Sequence, residues 1–177
     1  SKSSNIEFMD CKFINNTATP FLERTDADFS SMASYVYPKA LITADNIYNS
    51  YFYGNSFLSK DYEAKVVGTD RVYNSIFIKN RGGYGGALSG PSEVHYCVFV
   101  NNTATYDAND IFVYKGDLNA SGNWWGSNQK PLNDRVHVFI GKSTLDDWVI
   151  MSLDYKDNTV VASLDNLLDD DKIIHKL

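Results

Sequence analysis

One nine-residue phrase recurs four times along this chain and restricts it to a narrow set of folds. The phrase runs apolar-x-x-(Cys or Ser)-x-Phe-x-x-Asn. It stands as Phe8-Cys11-Phe13-Asn16, Ile47-Ser50-Phe52-Asn55, Val72-Ser75-Phe77-Asn80 and Val94-Cys97-Phe99-Asn102. A degenerate fifth copy is expected at Leu118-Ser121-Asn123, where the chain turns into Trp124-Trp125-Gly126. The Cys/Ser slots at 11, 50, 75, 97 and 121 are separated by 39, 25, 22 and 24 residues. Self-similarity at this period signals a solenoid, in which each repeat buries its apolar face by stacking on its neighbours.

Within each copy the Cys/Ser and the Phe are two apart, the period of a strand, and so share one face. Ser75–Ile78 and Cys97–Val100 are rich in β-branched and aromatic residues. Helical repeats need longer amphipathic stretches than this chain contains. A second apolar stretch separates the copies: Lys39–Thr43, Ala64–Val67, Gly85–Leu88 and Asp110–Tyr114. Each coil therefore holds at least two short strands joined by Asn, Gly and Asp turns, the pattern of a parallel β-helix. The row Asn16, Asn55, Asn80, Asn102 ends the strands. It is expected to take the left-handed backbone of a sharp corner and to bond its amide to the next coil. Asn49 and Asn74 form a shorter row.

Cys11 and Cys97 occupy the same slot of different coils. Three rungs at ~4.8 Å place them roughly 14 Å apart, beyond the ~7 Å that a disulfide spans. Two free, buried thiols are expected. The first step exceeds a coil, and the excess lies near 20–38. It reads as a projecting loop or, alternatively, as a complete extra coil. The net charge of −6 argues against nucleic acid as a partner. No apolar stretch reaches the ~18 residues of a membrane span, so no membrane insertion is expected. No secretion leader opens the chain and no cap precedes Phe8, so a fragment of a longer protein is expected.

The residues flanking each Phe should point outward. Apart from Lys12 they are apolar or aromatic: Ile14, then Tyr51 and Tyr53, Ile76 and Ile78, Val98 and Val100. A solvated sheet face normally alternates apolar with polar. This face is expected to be covered, by the 20–38 loop or the C-terminal tail, or to bind a partner. At the far end, Trp124 and Trp125 are placed to cover the last coil. Two strand-like runs follow, Arg135–Ile140 and Trp148–Leu153, then an alternating run at Asn158–Leu164 and a solvated acidic turn at Asp169–Asp171.

Three motifs together are specific: Cys-x-Phe-x-Asn-Asn-Thr-Ala at Cys11–Ala18 and Cys97–Ala104, Gly85–Leu88, and Gly122-Asn-Trp-Trp-Gly-Ser-Asn128. They resemble the adhesin-like surface proteins of methanogenic archaea over about residues 5 to 165. The resemblance implies a pectate-lyase-like right-handed β-helix, often followed by immunoglobulin-like domains. It also implies a secreted, extracellular, cell-surface protein that recognises glycans or proteins of other cells. The family supplies no catalytic residues. The expected fold is thus all-β: a right-handed parallel β-helix (solenoid) with a Trp-rich C-terminal end. Residues 1–153 would form its coils, and 154–177 a terminal strand or the start of a following immunoglobulin-like domain.

For a bound glycan, loop tyrosines are the natural stacking platforms, and Tyr35, Tyr37, Tyr84 and Tyr106 are the candidates. Two other classes remain open. One is a stalk carrying binding domains elsewhere. The other is a polysaccharide lyase or glycoside hydrolase, because fold alone does not decide function. Paired carboxylates would mark the enzyme. The only hints are Asp45 with Asp70 in one slot of adjacent coils, Asp70 beside Arg71, and Asp107 with Asp110. His95, His137 and His175 have no metal-ligand spacing, and His95 shares a slot with Tyr48 and Tyr73. Gly82–Gly86 lacks a P-loop ending and reads as a flexible turn. Asn15, Asn101 and Asn119 stand in glycosylation sequons, two of which arise from the repeat itself. No catalytic residue, metal or cofactor is assigned.

Overall fold

The computed structural model describes residues 5–18, 40–58, 64–157, 159–169 and 172–176. The expected insertion at about 20–38, with Tyr35 and Tyr37, lies outside the described residues, as does most of the Asp169–Asp171 turn. The chain is all-β: short parallel strands stack into a β-solenoid of about four turns.

Each coil contributes four short strands, so the solenoid has four sheets. The first holds Glu7–Met9, Asn46–Tyr48, Arg71–Tyr73, Glu93–His95, Leu118–Asn119 and Ser143–Thr144. The second holds Lys12–Ile14, Tyr51–Tyr53, Ile76–Ile78 and Val98–Val100. The third holds Thr17–Ala18, Ser56–Phe57, Arg81–Tyr84 and Thr103–Asp107. The fourth holds Ala40–Thr43, Lys65–Gly68, Leu88–Ser89, Ile111–Lys115 and Val136–Ile140.

The repeated phrase supplies the rows inside. Phe13, Phe52, Phe77 and Phe99 stack ring on ring at 4.9, 4.7 and 5.2 Å, close to the ~4.8 Å rise between coils. Trp125 continues the stack 4.9 Å from Phe99. In the Cys/Ser row each side chain serves two coils. Ser50 Oγ accepts from the Cys11 N–H and donates to the Tyr48 carbonyl, and Ser75 repeats this for Ser50 N–H and the Tyr73 carbonyl. The two cysteines are free; Cys97 is buried and Cys11 half-buried.

The asparagine row differs from the expectation in one respect. The left-handed residues are those just before it, Asn15, Gly54, Lys79 and Asn101, with φ of 55°, 65°, 54° and 52°. Asn49 and Asn74, just before the Ser slot, are also left-handed. The corner is therefore turned one residue early, which leaves Asn16, Asn55, Asn80 and Asn102 free to aim their amides along the axis. Asn55 Nδ2 donates to Asn80 Oδ1 and to the Phe13 carbonyl. Asn80 Nδ2 makes the same pair of bonds to Asn102 Oδ1 and the Phe52 carbonyl. Buried amides in such a ladder leave no polar atom without a partner.

The fifth copy is displaced from its expected position. Cys97 pairs with Asn123, whose Oδ1 accepts from the Cys97 N–H at 2.8 Å, and Val98 bridges Trp124. The copy therefore reads Ala120-Asn123-Trp125-Asn128, with Asn in the Cys/Ser slot. Nor do the repeats stop there. Val136–Ile140 pairs with Ile111–Lys115, and Ser143–Thr144 with Leu118–Asn119, because Val136 continues the inward column of Ile111. Gly82 is likewise not in a flexible turn. It lies in the strand Arg81–Tyr84, where a Cβ would come within 2.4 Å of the Gly85 carbonyl.

Beyond the solenoid, Trp148–Lys156, Thr159–Asp169 and Lys172–Lys176 form a separate antiparallel sheet. Its first strand runs through the expected boundary at 153. Asn128 ties it to the last coil. Its Oδ1 accepts from Met151 N–H, its Nδ2 donates to the Met151 carbonyl, and its own carbonyl accepts from Trp148 Nε1.

Candidate functional site

Two of the four tyrosines singled out from the sequence come together on the outside of the third sheet. They lie in the strands Arg81–Tyr84 and Thr103–Asp107 rather than in loops, on adjacent coils with ring centroids 5.3 Å apart, and Tyr106 is 48% exposed. The register of this pair shifts between Gly82 and Tyr84, next to the fourth sheet. There Tyr84 meets Phe112 at 5.1 Å. Phe112 meets His137 edge-on at 6.0 Å, His137 meets Phe139 at 6.3 Å, and Phe139 stacks on Tyr114 at 5.6 Å. The result is a chain of ring contacts crossing two sheets, with Phe139 60% and Tyr114 42% exposed at one end, Tyr106 exposed at the other and Phe112 buried at 4% between them.

Strand alternation builds the fourth-sheet part of this strip. Ile111 and Val113 point inward, so Phe112 and Tyr114 point outward; Val136 and Val138 do the same for His137 and Phe139. That alternation is the sequence signal for Phe112, Tyr114, His137 and Phe139, which reasoning from loop tyrosines alone passed over. Asp107 Oδ2 accepts a hydrogen bond from His137 Nδ1 and so fixes the imidazole within the strip.

The apolar face of the second sheet is outward, as the alternation requires. Tyr51, Tyr53, Ile78, Val98 and Val100 are half-buried and Ile76 is 37% exposed. Tyr51 and Tyr53 stack at 6.2 Å, and Lys79 Nζ lies 5.6 Å above the Tyr53 ring. Neighbouring outward side chains thus cover one another in part.

The carboxylates considered for catalysis are dispersed or already engaged. Asp45 and Asp70 share a corner of adjacent coils. Asp45 Oδ2 accepts from the Ile6 N–H, Asp70 Oδ1 accepts from Ser92 Oγ, and Asp70 Oδ2 lies 3.7 Å from Arg71 Nε. Asp107 and Asp110 do not form a pair. Asp107 faces His137 outside, whereas Asp110 is buried and bonded to Asn102 and Arg135. Burial pushes the Asp110 carboxyl up to about 6 against the pull of Arg135. Among the described residues no group of three His, Cys, Asp or Glu is placed to hold a metal ion. His95 stands in the expected column, its ring 5.7 Å from Tyr73, with Nε2 2.6 Å from Glu93 Oε2.

Asp45 and Asp70 border a trough of about 730 Å³ along the fourth sheet, which ends against Phe112 and Tyr114. The aromatic strip and the trough therefore meet at Phe112 and Tyr114. No protein-family model, curated protein or solved structure matches the chain.

Proposed function

We propose that this β-solenoid is a non-catalytic binding module of a secreted, adhesin-like surface protein, and that it recognises glycans on other cells. Right-handed winding of the coils belongs to the same reading, as do the resemblance to methanogen surface proteins and a location outside the cell. The observation that carries it is the strip in which the exposed rings of Tyr106, Phe139 and Tyr114 are joined through Tyr84, His137 and the buried Phe112, beside a trough of mixed polar and apolar lining. Sugar rings present an apolar C–H face to an aromatic ring and hydroxyls to its surroundings, and concave sites with a few placed polar groups provide both. Stacked coils also hold the rings rigidly, so little side-chain freedom is lost on binding.

The test is a glycan array and a cell-binding assay with the wild-type chain and with Tyr106→Ala/Phe139→Ala. Both residues are more than half or nearly half exposed, so the double variant should keep the wild-type melting temperature and lose binding. Absence of any glycan or cell binding by the wild type would favour a stalk. Release of new reducing ends or unsaturated product from a polysaccharide would favour the enzyme.

A further inference from the structure

The trough beside the aromatic strip has a floor unlike any other outward column of the solenoid. Thr43, Gly68 and Ser89 stand in register on successive coils and are followed in the same column by Phe112 and His137. Three small residues thus give way to two aromatic ones, which makes a recess with an aromatic wall. Three rungs at ~4.8 Å give it a length of roughly 14 Å, enough for two to three sugar rings.

Lys65 lies in this recess rather than extending into solvent. A Cβ on Gly68 would fall 2.9 Å from Lys65 Cδ, and one on Gly90 would fall 3.0 Å from Lys65 Nζ. The two glycines therefore leave the space along which the lysine stem lies, and its ammonium reaches the following coil. Lys115 lines the same recess. Neither lysine forms an ion pair with a described residue. The two carboxylates at the rim are differently placed, since Asp45 accepts from a backbone N–H and Asp70 is held by Ser92 and Arg71. The recess thus carries two lysines that no described carboxylate pairs with, beside two rim carboxylates of which only Asp70 has a cation, Arg71, at hand.

Building on the glycan-binding reading, we infer that the recess is a subsite for an anionic sugar residue. Lys65 and Lys115 meet its carboxylate, sulfate or phosphate group while the neighbouring sugar stacks on the aromatic strip. Placing the anion at a partly buried ammonium strengthens the contact over one made at a free surface lysine. The free carboxylate lone pairs of Asp45 and Asp70 remain available to sugar hydroxyls.

Titration calorimetry with matched oligosaccharides tests this. The set has one backbone in neutral, carboxylate-bearing, sulfated and phosphorylated forms, with inorganic sulfate and phosphate alone as controls. Wild type, Lys65→Gln, Lys115→Gln and Tyr106→Ala/Phe139→Ala are compared after each has been shown to melt like the wild type. At least one charged form should bind about tenfold tighter than the neutral one. The preference should disappear in Lys65→Gln and in high salt, while neutral binding survives the lysine change. The three charged forms tell which anion is preferred. Equal binding of neutral and charged forms, or an unchanged preference in Lys65→Gln, overturns the anion subsite and leaves glycan binding standing. Binding of no form by the wild type overturns both.

Discussion

Arg135 follows Asp110 in one column of the fourth sheet, with its Nε 2.6 Å from the Asp110 Oδ2. The preceding coils place Leu41, Val66 and Ala87 in that column, one residue before Ile42, Val67 and Leu88. The polar pair appears where the asparagine ladder ends. From Asn16 to Asn102 the side-chain amides donate in one direction, and Asn102 Nδ2 donates to Asp110 Oδ1 at 3.0 Å. Amides aligned head to tail reinforce one another, so the carboxylate meets the positive end of the row, as an anion does at a helix N-terminus. Arg135 Nη2 then donates to the Phe99 carbonyl. That bond replaces the one each asparagine makes to the Phe of the coil before it.

Breaking this pair from one side should therefore cost more than removing it whole. Asp110→Ala leaves a guanidinium facing the core without a counter-ion and Asn102 Nδ2 with only the Phe77 carbonyl as acceptor, a loss of ~3 kcal/mol or more. Asp110→Ala/Arg135→Met restores apolar contact over Trp125, whose ring the guanidinium now covers at 5.9 Å. Urea unfolding of the two variants should show the double change less destabilised than the single one. Equal losses would mean that Arg135 contributes through packing alone.

The same carboxyl makes stability depend on pH in a stated direction. Burial raises its folded pKa to about 6, opposed by Arg135 and by the bonds from Asn102 and Arg135, with Asp134 adding to the rise. The unfolded value is about 4. The native state therefore holds the proton more tightly, and the contribution is fullest below about pH 4 and lost as pH rises to about 6. The unfolding free energy of wild type relative to Asp110→Asn should fall across that window and level off above it. A difference that rises across the window would put the folded pKa below the unfolded one.

The fold is legible in the sequence because each slot of the repeat touches its own copy in the next coil. A local pattern thus reports a non-local contact. Phe13, Phe52, Phe77 and Phe99 are the clearest case. The fifth copy is misplaced by two residues because its slot is identified by residue type, Cys or Ser. What the slot requires is a side-chain acceptor for the N–H of the coil before, and Asn123 provides one. The Asp110–Arg135 pair occurs once, 25 residues apart, so no repetition reveals it. Of the surface, Tyr84 and Tyr106 are legible by residue type alone, since the structure sets both in strands of the third sheet and not in loops. The partners that make them a strip lie on strands, where outwardness follows only once the register is known.

Asn123 gives that requirement a direct test. Its Oδ1 accepts from Cys97 N–H, and its Nδ2 donates to the carbonyls of Val94 and Ala120, both at 2.7 Å. Asn123→Ala strands a buried N–H and removes both donations, for ~2–4 kcal/mol. Asn123→Ser restores the side chain that Ser50 and Ser75 carry in this slot and should recover at least half of that loss. Chemical denaturation of the three proteins decides it. A serine variant no better than alanine would show that the slot at this coil is fixed by shape.

The two thiols occupy one row but should differ in reactivity. Burial pushes the Cys97 thiol up to about 12, and its Sγ lies 3.2 Å from the His95 carbonyl, so almost no thiolate exists at pH 8. Cys11 sits in the first described coil and is only half-buried. Native protein treated with iodoacetamide at pH 8 should take up one label, mapped by peptide mass to Cys11, and a second only in urea. Because three coils separate the residues, the mass without reductant should equal that of the dithiol. Labelling of Cys97 in native buffer at the Cys11 rate would mean that the coil around Ser75 and Cys97 opens well below global unfolding. The phenylalanine stack at Phe77 and Phe99 would then have to open with it, since the same strands carry both rows.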